Sequence, residues 1–255
     1  MRVFYTVLFA LIPFLSFSQS QFTNRISKGI DVGLAFKNDH TAPSFTYYEL
    51  LHLGRQEVFS LGWTFRAGGV YGRNLDYTTA PARLTRGETG FGALTADVRP
   101  AYIDTLHFDR TSQSLFNVGL VAQVKLGPVE LGGSADILGF ALGRLRNARI
   151  SSSKGGYYVD TAADDDSLIY FAPKHTAQSA HPRSINVRLL GDNDRGSLAT
   201  EVYARFLITK RIGVKVAYQW LTTEMKLNQN RTLDGNLRYR NRVAMPYIAL
   251  SFPLF

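Results

Sequence analysis

The chain has 255 residues, 45% of them hydrophobic and 13% aromatic, with a formal net charge of +9 and no cysteine. The missing cysteines exclude a disulfide framework and a lipid attached at a cleavage-point Cys, so whatever holds the fold is not covalent. The positive residues are scattered instead of lining one helix or one run, which argues against nucleic acid and for attraction to the headgroups of outer-membrane lipid.

Met1-Arg2 is a short basic start, residues 3–15 (VFYTVLFALIPFL) are apolar, and Ser16-Phe17-Ser18 offers small residues at the two cleavage positions. This pattern predicts a signal peptide over residues 1–18 and one domain over residues 19–255. No later segment offers eighteen consecutive apolar residues, which excludes helical membrane spans. Hydrocarbon can then be crossed only by a closed barrel, because every backbone polar group in it needs a partner.

Period-two alternation, the mark of a strand with two unlike faces, begins at residues 26–37. There Ile30, Val32, Leu34 and Phe36 oppose Gly29, Asp31, Gly33 and Ala35. A connection over residues 38–44, containing Pro43, leads to a weaker run at 45–53, and Gly54-Arg55-Gln56 turns into residues 57–71, with Phe59, Leu61, Trp63 and Phe65 opposite Ser60, Gly62, Thr64 and Arg66. After a long polar stretch, residues 113–126 set Phe116, Val118, Leu120 and Val124 against Asn117, Gly119, Gln123 and Lys125, and Gly127-Pro128 turns the chain. The fifth run, residues 129–146, switches phase near Gly139 as a β-bulge would make it do.

Residues 198–208 place Leu198, Val202 and Phe206 opposite Glu201, Tyr203 and Arg205; Thr209-Lys210-Arg211 turns into residues 211–222, and residues 238–252 form the last run. Connections alternate between tight turns (54–56, 127–128, 209–211) and longer segments (38–44, 72–112, 147–197, 226–237). The expectation is an all-β fold, an eight-stranded antiparallel up-and-down transmembrane β-barrel with two long external loops, 72–112 and 147–197. Soluble sandwiches and lipocalin-like barrels share the alternation but keep the apolar face inside. Here the small residues share the polar face, as a narrow lumen requires, and the large aromatics take the other.

The polar face collects a candidate lumen network: Asp31, Glu130, Asp136 and Glu201 as acids, Arg66, Lys125, Arg205 and Lys215 as bases, with Asn117 and Gln219. An eight-stranded barrel is just filled by side chains, and a lone buried ion is costly, so these charges are expected to pair as a plug. A polar path for a small solute is the alternative. Of the five histidines, only His52 lies in a run, beside a tight turn, and no histidine lies on the last three runs; no zinc spacing, phosphate-cradling loop or nucleophile elbow occurs. Asp160 and Asp164-Asp165-Asp166 lack the glycine and terminal glutamate of a calcium loop, so no metal or other cofactor is assigned. Tyr157-Tyr158-Val159 and Leu168-Ile169-Tyr170-Phe171 are expected to pair as a hairpin within the second long loop.

The signal peptide, the eight alternating runs and the ending Tyr247-Ile248-Ala249-Leu250-Ser251-Phe252-Pro253-Leu254-Phe255 together resemble the small outer-membrane β-barrel proteins of Bacteroidota, the outer-membrane protein A and X type barrels and the PorT-like group. The resemblance covers residues 19–255. It implies residence in the outer membrane of a Gram-negative cell, and contact with the barrel-assembly machinery through a terminal signal formed by Phe252 and Phe255. Pro253 departs from the aromatic or aliphatic residue usual there. The resemblance implies a non-enzymatic barrel whose external loops serve surface contact, a surface ligand through 72–112 and 147–197, or membrane integrity; a solute channel, a component of protein secretion or gliding and, last, a lipid A-modifying enzyme are the alternatives.

Overall fold

The computed structural model describes residues 25–152, 154–159, 167–170, 176–189 and 193–254. The expected signal peptide, Asp160, Asp164 to Asp166, Phe171 and Phe255 lie outside the described residues. The strands in chain order are β1 (Ile26–Lys37), β2 (His40–Leu53), β3 (Phe59–Thr79), β4 (Thr105–Leu126), β5 (Val129–Leu142), β6 (Arg146–Ser151), β7 (Gly156–Val159), β8 (Ser167–Tyr170), β9 (Ala177–Pro182), β10 (Ile185–Val187), β11 (Leu198–Leu207), β12 (Gly213–Leu227), β13 (Asn230–Thr232) and β14 (Arg238–Pro253).

Eight of them close on themselves in the antiparallel order β1-β2-β3-β4-β5-β11-β12-β14. The last seam joins β14 to β1, from Gly29 opposite Pro253 to Ala35 opposite Tyr247. A closed ring has no free edge, so each ring strand has a partner on both sides. Gly54 (φ 79°) and Gly127 (φ 64°) supply the left-handed backbone of two tight turns at one end.

Three expected boundaries move. The first far-end connection is only Asn38-Asp39, because β2 starts at His40 and carries Pro43 within it, opposite Leu34. Proline cannot donate a ladder hydrogen bond, and the β2–β3 register skips from Thr41 opposite Tyr71 to Ser44 opposite Gly68 at that point. The fifth run stops at Leu142 and a new strand starts at Arg146. Its bulge is real: Val118 faces Leu138 and Gly119 faces Asp136, leaving Ile137 as the extra residue, so that Ile137 and Leu138 both point outward. The two long loops are the largest correction, since β3 and β4 continue as one hairpin up to the pair Thr78 and Thr105, and β6 to β10 occupy much of 147–197. Within that segment β7 and β8 pair as expected, Tyr158 opposite Leu168, and β13 extends them into a three-stranded sheet.

The extensions build a second closed ring. Above the first, β4 pairs with β6, β6 with β9, β9 with β12, β12 with β14, and β14 with β3 through Tyr239 and Thr79. Its interior is apolar: Leu75, Tyr77, Leu106, Phe108, Ile150, Met225, Leu227 and Tyr239 are buried together. Between the rings both β3 and β4 change phase, each spending two successive residues on the outside, Arg73-Asn74 and Asp109-Arg110. Asn74 takes a left-handed φ of 53°, one of the few residue types that tolerates it, and re-aims the strand there. The segment between β3 and β4 closes over with two one-turn helices, Ala82–Thr85 and Gly92–Thr95.

The faces therefore exchange character along the same strands. In the eight-stranded ring Leu61, Trp63, Leu120, Val202, Phe206, Val216 and Leu250 point out, while Asp31, Arg66, Glu201 and Lys215 are buried inside. In the upper ring Asp76, Asp109 and Arg149 point out with side chains 64%, 80% and 67% exposed, and the hydrophobes are inside. Phe108 holds the upper interior, with its ring edge-on to Tyr77 at 5.1 Å. Phe108→Ala is expected to cost about 3–5 kcal/mol there. In limited trypsin digestion this should expose Arg146 and Arg149 while the eight-stranded ring stays protected; unchanged cleavage would count against the second ring.

Candidate functional site

Glycine and tyrosine shape the lower end of the interior. A Cβ on Gly29 would lie 2.2 Å from the Tyr48 hydroxyl, and one on Gly132 would lie 2.6 Å from the Tyr203 ring, so each tyrosine lies flat over a glycine of the neighbouring strand. The Arg205 guanidinium sits over both rings, 4.4 Å from Tyr48 and 5.4 Å from Tyr203, and the Lys215 ammonium sits 4.3 Å from Tyr203. Both cations are thus fixed by aromatic faces as well as by anions.

The charges form one alternating chain. Glu130 meets Arg205 (2.7 Å), Arg205 meets Asp31 (3.1 Å), Asp31 meets Lys215 (3.1 Å) and Lys215 meets Glu201 (2.6 Å). Glu201 then faces Arg66 at 3.3 Å, and Arg66 faces Asp136 at 3.4 Å. The Arg66 end is looser, within ion-pair reach only, whereas the Lys215 end is hydrogen-bonded. Polar neighbours also donate to the carboxylates: Ser251 to Asp31 (2.6 Å), Ser134 to Glu201 (3.2 Å), and Asn117 and the Ala199 amide to one oxygen of Asp136 (both 2.9 Å).

Eight of the expected residues are therefore connected: Asp31, Arg66, Asn117, Glu130, Asp136, Glu201, Arg205 and Lys215. Gln219 is buried on the same face of β12. Lys125 is a correction. It has the right phase but lies two residues from the turn, opposite Glu130 and past the mouth of the ring, where its side chain is exposed to solvent. Leu198, expected outside, is also buried, because Arg188 crosses that part of the wall and donates to the Ala199 carbonyl at 3.1 Å. Phe252 ends the outward row of β14 opposite Ile30, and Leu254 still donates to the Lys28 carbonyl at 2.8 Å.

Sequence reading found Asn117 but missed other partners that are not charged. Gln123 accepts from the Tyr203 hydroxyl (2.9 Å) and from Arg205 (3.4 Å). Asn186 of β10 donates to Asn117 (2.8 Å) and accepts from the Ser197 amide (2.9 Å). Gln123 and Tyr203 were visible by strand phase alone; Asn186 and Ser197 were not, since they come from the segment read as loop.

The charged chain runs inward from the mouth past apolar side chains. Following β4 from its turn, Val121 belongs to an apolar cluster with Tyr48, Leu50 and Tyr203, Asn117 follows, then Leu115 joins Val70, Leu221, Val243 and Met245, and finally Phe108 and Leu106 enter the upper core. Glu130 and Arg205 thus lie on the turn side of Val121, and beyond Asp136 buried polar contacts continue through Asn117, Asn186, Ser197 and Gln113. Catalytic geometry is weak elsewhere. His52 Nδ1 and the buried Ser60 Oγ meet at 2.7 Å near a turn, with no carboxylate bonded to His52 among the described residues.

No protein-family model matches the chain, and no curated protein matches it. Among solved structures it is similar to Ail, the attachment invasion locus protein of Yersinia pestis, at 11% identity and a TM-score of 0.30 over 90% of this chain and 96% of that one. Neisserial surface protein A gives 8% identity and a TM-score of 0.29 over the same shares, and the CymD monoaromatic hydrocarbon channel gives 8% and 0.19 over 89% and 87%. Likeness at this level carries no argument about this chain.

Among the described residues, Glu201 is the one anion that joins Lys215 to Arg66 in the charged chain. Glu201→Ala is expected to destabilise the detergent-folded protein by about 3–5 kcal/mol, read as a lower urea midpoint, because two cations lose a buried anion. Lys125→Ala, at the exposed rim, should leave the midpoint in place. Equal midpoints for both variants would show that water already reaches the cluster.

Proposed function

We propose that this protein is an integral outer-membrane β-barrel without a catalytic role, whose lumen is sealed by the buried ion-pair chain and whose upper ring and loops face the cell exterior. The exchange of face polarity between the two rings supports this most directly. A soluble barrel buries its large apolar residues, and the upper ring does so; the lower ring presents them outward and keeps its charges inside, the arrangement that hydrocarbon favours. On β3 the outward apolar row runs from Phe59 to Tyr71. At about 3.3 Å per residue and a tilt of about 40°, this row spans about 30 Å, the thickness of a bilayer core.

Several expected details fit this reading: export through a signal peptide at residues 1–18, insertion by the barrel-assembly machinery using Phe252 and Phe255, and membership of the small Bacteroidota barrels. The tight turns would face the periplasm and the long hairpins the exterior, where Phe91 and Tyr170, each 69% exposed, are available for surface contacts. A solute channel is disfavoured because the inward charges are spent on one another in a bore that side chains fill.

The detergent-extracted protein should migrate faster on a denaturing gel when unboiled, since a closed ladder unravels only on heating. In a planar bilayer it should show no sustained large conductance. Identical migration before and after boiling, together with solubility in detergent-free buffer, would remove the membrane assignment; a steady, salt-dependent pore would replace the sealed barrel with a channel.

A further inference from the structure

Arg73 and Arg110 are direct cross-strand partners on β3 and β4. Like charges directly opposite one another on a sheet destabilise it, and neither arginine has an ion-pair partner among the described residues. Both line one cleft of about 680 Å³ on the outer wall, together with Arg146, Tyr71, Ser112 and Asp39. Asp39 is one carboxylate against three guanidiniums, lies 2.9 Å from His40 Nδ1, and makes no ion pair with Arg73, Arg110 or Arg146 among the described residues. Arg146 spends one nitrogen on the Ser112 hydroxyl (2.6 Å), and its Nε is buried without a hydrogen-bond partner. An adjoining cleft of about 300 Å³ shares Tyr71, Ser112 and Arg146 and adds Arg144 beside Leu142.

The height of this cleft matters as much as its charge. Tyr71 (53% exposed) and Leu142 (56% exposed) end the outward apolar rows of β3 and β5, and the arginines follow within two to four residues. This is the level at which outward side chains change from apolar to charged. A ligand bound there has acyl chains along the row below it and an anionic headgroup among the guanidiniums. Guanidinium forks match phosphate oxygens in geometry as well as charge.

We propose that the Arg73, Arg110 and Arg146 cleft holds the phosphate of one outer-leaflet lipid against the wall of the barrel. The anion relieves the repulsion between Arg73 and Arg110. The assignment rests on the membrane reading above, because without a bilayer there is no lipid at that level.

The test is native mass spectrometry of the detergent-folded full chain incubated with diphosphorylated lipid A, with the same lipid after removal of its phosphates, and with inorganic phosphate. The unmodified protein should retain one diphosphorylated lipid and not the dephosphorylated one. Arg73→Gln and Arg110→Gln should each weaken retention by about tenfold, the loss of one charge-assisted hydrogen bond. Equal retention by the double variant, or of the dephosphorylated lipid, overturns the proposal. Displacement of the lipid by millimolar inorganic phosphate assigns the cleft to a free anion and also overturns it. The heat-dependent gel shift, read on the same samples, separates the two claims: a variant that shifts but binds lipid unchanged refutes the site alone, whereas an unmodified protein that fails to shift refutes the membrane reading and the lipid with it.

Discussion

Charges inside an eight-stranded ring have nowhere to go but to one another. The bore is only wide enough for side chains, so each ion placed there loses its water and must recover the loss from a partner within a few ångströms. Three cations, Arg66, Arg205 and Lys215, are shared among four anions, Asp31, Glu130, Asp136 and Glu201. The surplus anion is handled at the two ends of the chain. Glu130 lies at the mouth, where its side chain keeps 11% exposure, and Asp136 receives hydrogen bonds from Asn117 and the Ala199 amide.

Everything around that layer serves to fix it. Glycines at 29 and 132 let Tyr48 and Tyr203 lie against the wall, and those rings hold Arg205 and Lys215 where the carboxylates can reach them. Register does the rest: Glu201 opposite Gln219, Arg205 opposite Lys215 and Glu130 opposite Arg205 bring β5, β11 and β12 into line. A slip of one residue along any of these strands would turn its charges outward and its aromatics inward. The ion pairs therefore report register as much as they contribute stability, and this is how a barrel with a modest interior excludes alternative closures.

How much of this was readable in the sequence follows from the range of each interaction. Alternation is local, so the eight ring strands, their tight turns and the inward set Asp31, Arg66, Glu201, Arg205 and Lys215 were legible from strand phase. Lys125 was misplaced because phase says which face a residue takes and not how far along the barrel it stands. Strand ends in the long hairpins were misjudged for a different reason. At Arg73-Asn74 and Asp109-Arg110 both strands shift phase together, so the alternation looks broken although the ladder between them continues from Arg73 opposite Arg110 to Leu75 opposite Phe108. The upper ring depends on β6 and β9, six residues each, whose pairing partners lie dozens of positions away.

The phase shift is also what joins the two halves of the molecule physically. A strand with constant phase would carry one face polarity from end to end, whereas the two rings of this chain bury opposite kinds of side chain. By exposing two successive residues on each of β3 and β4, the hairpin turns its large hydrophobes from outside to inside within one step of the ladder, and Asn74 supplies the left-handed conformation at that step. The residues set outward by the shift are Arg73, Asn74, Asp109 and Arg110, so the same backbone event that re-buries the apolar face also places two guanidiniums side by side at the boundary. The basic cleft thus follows from the same phase shift that exchanges the two faces, and is not a separate feature added to the surface.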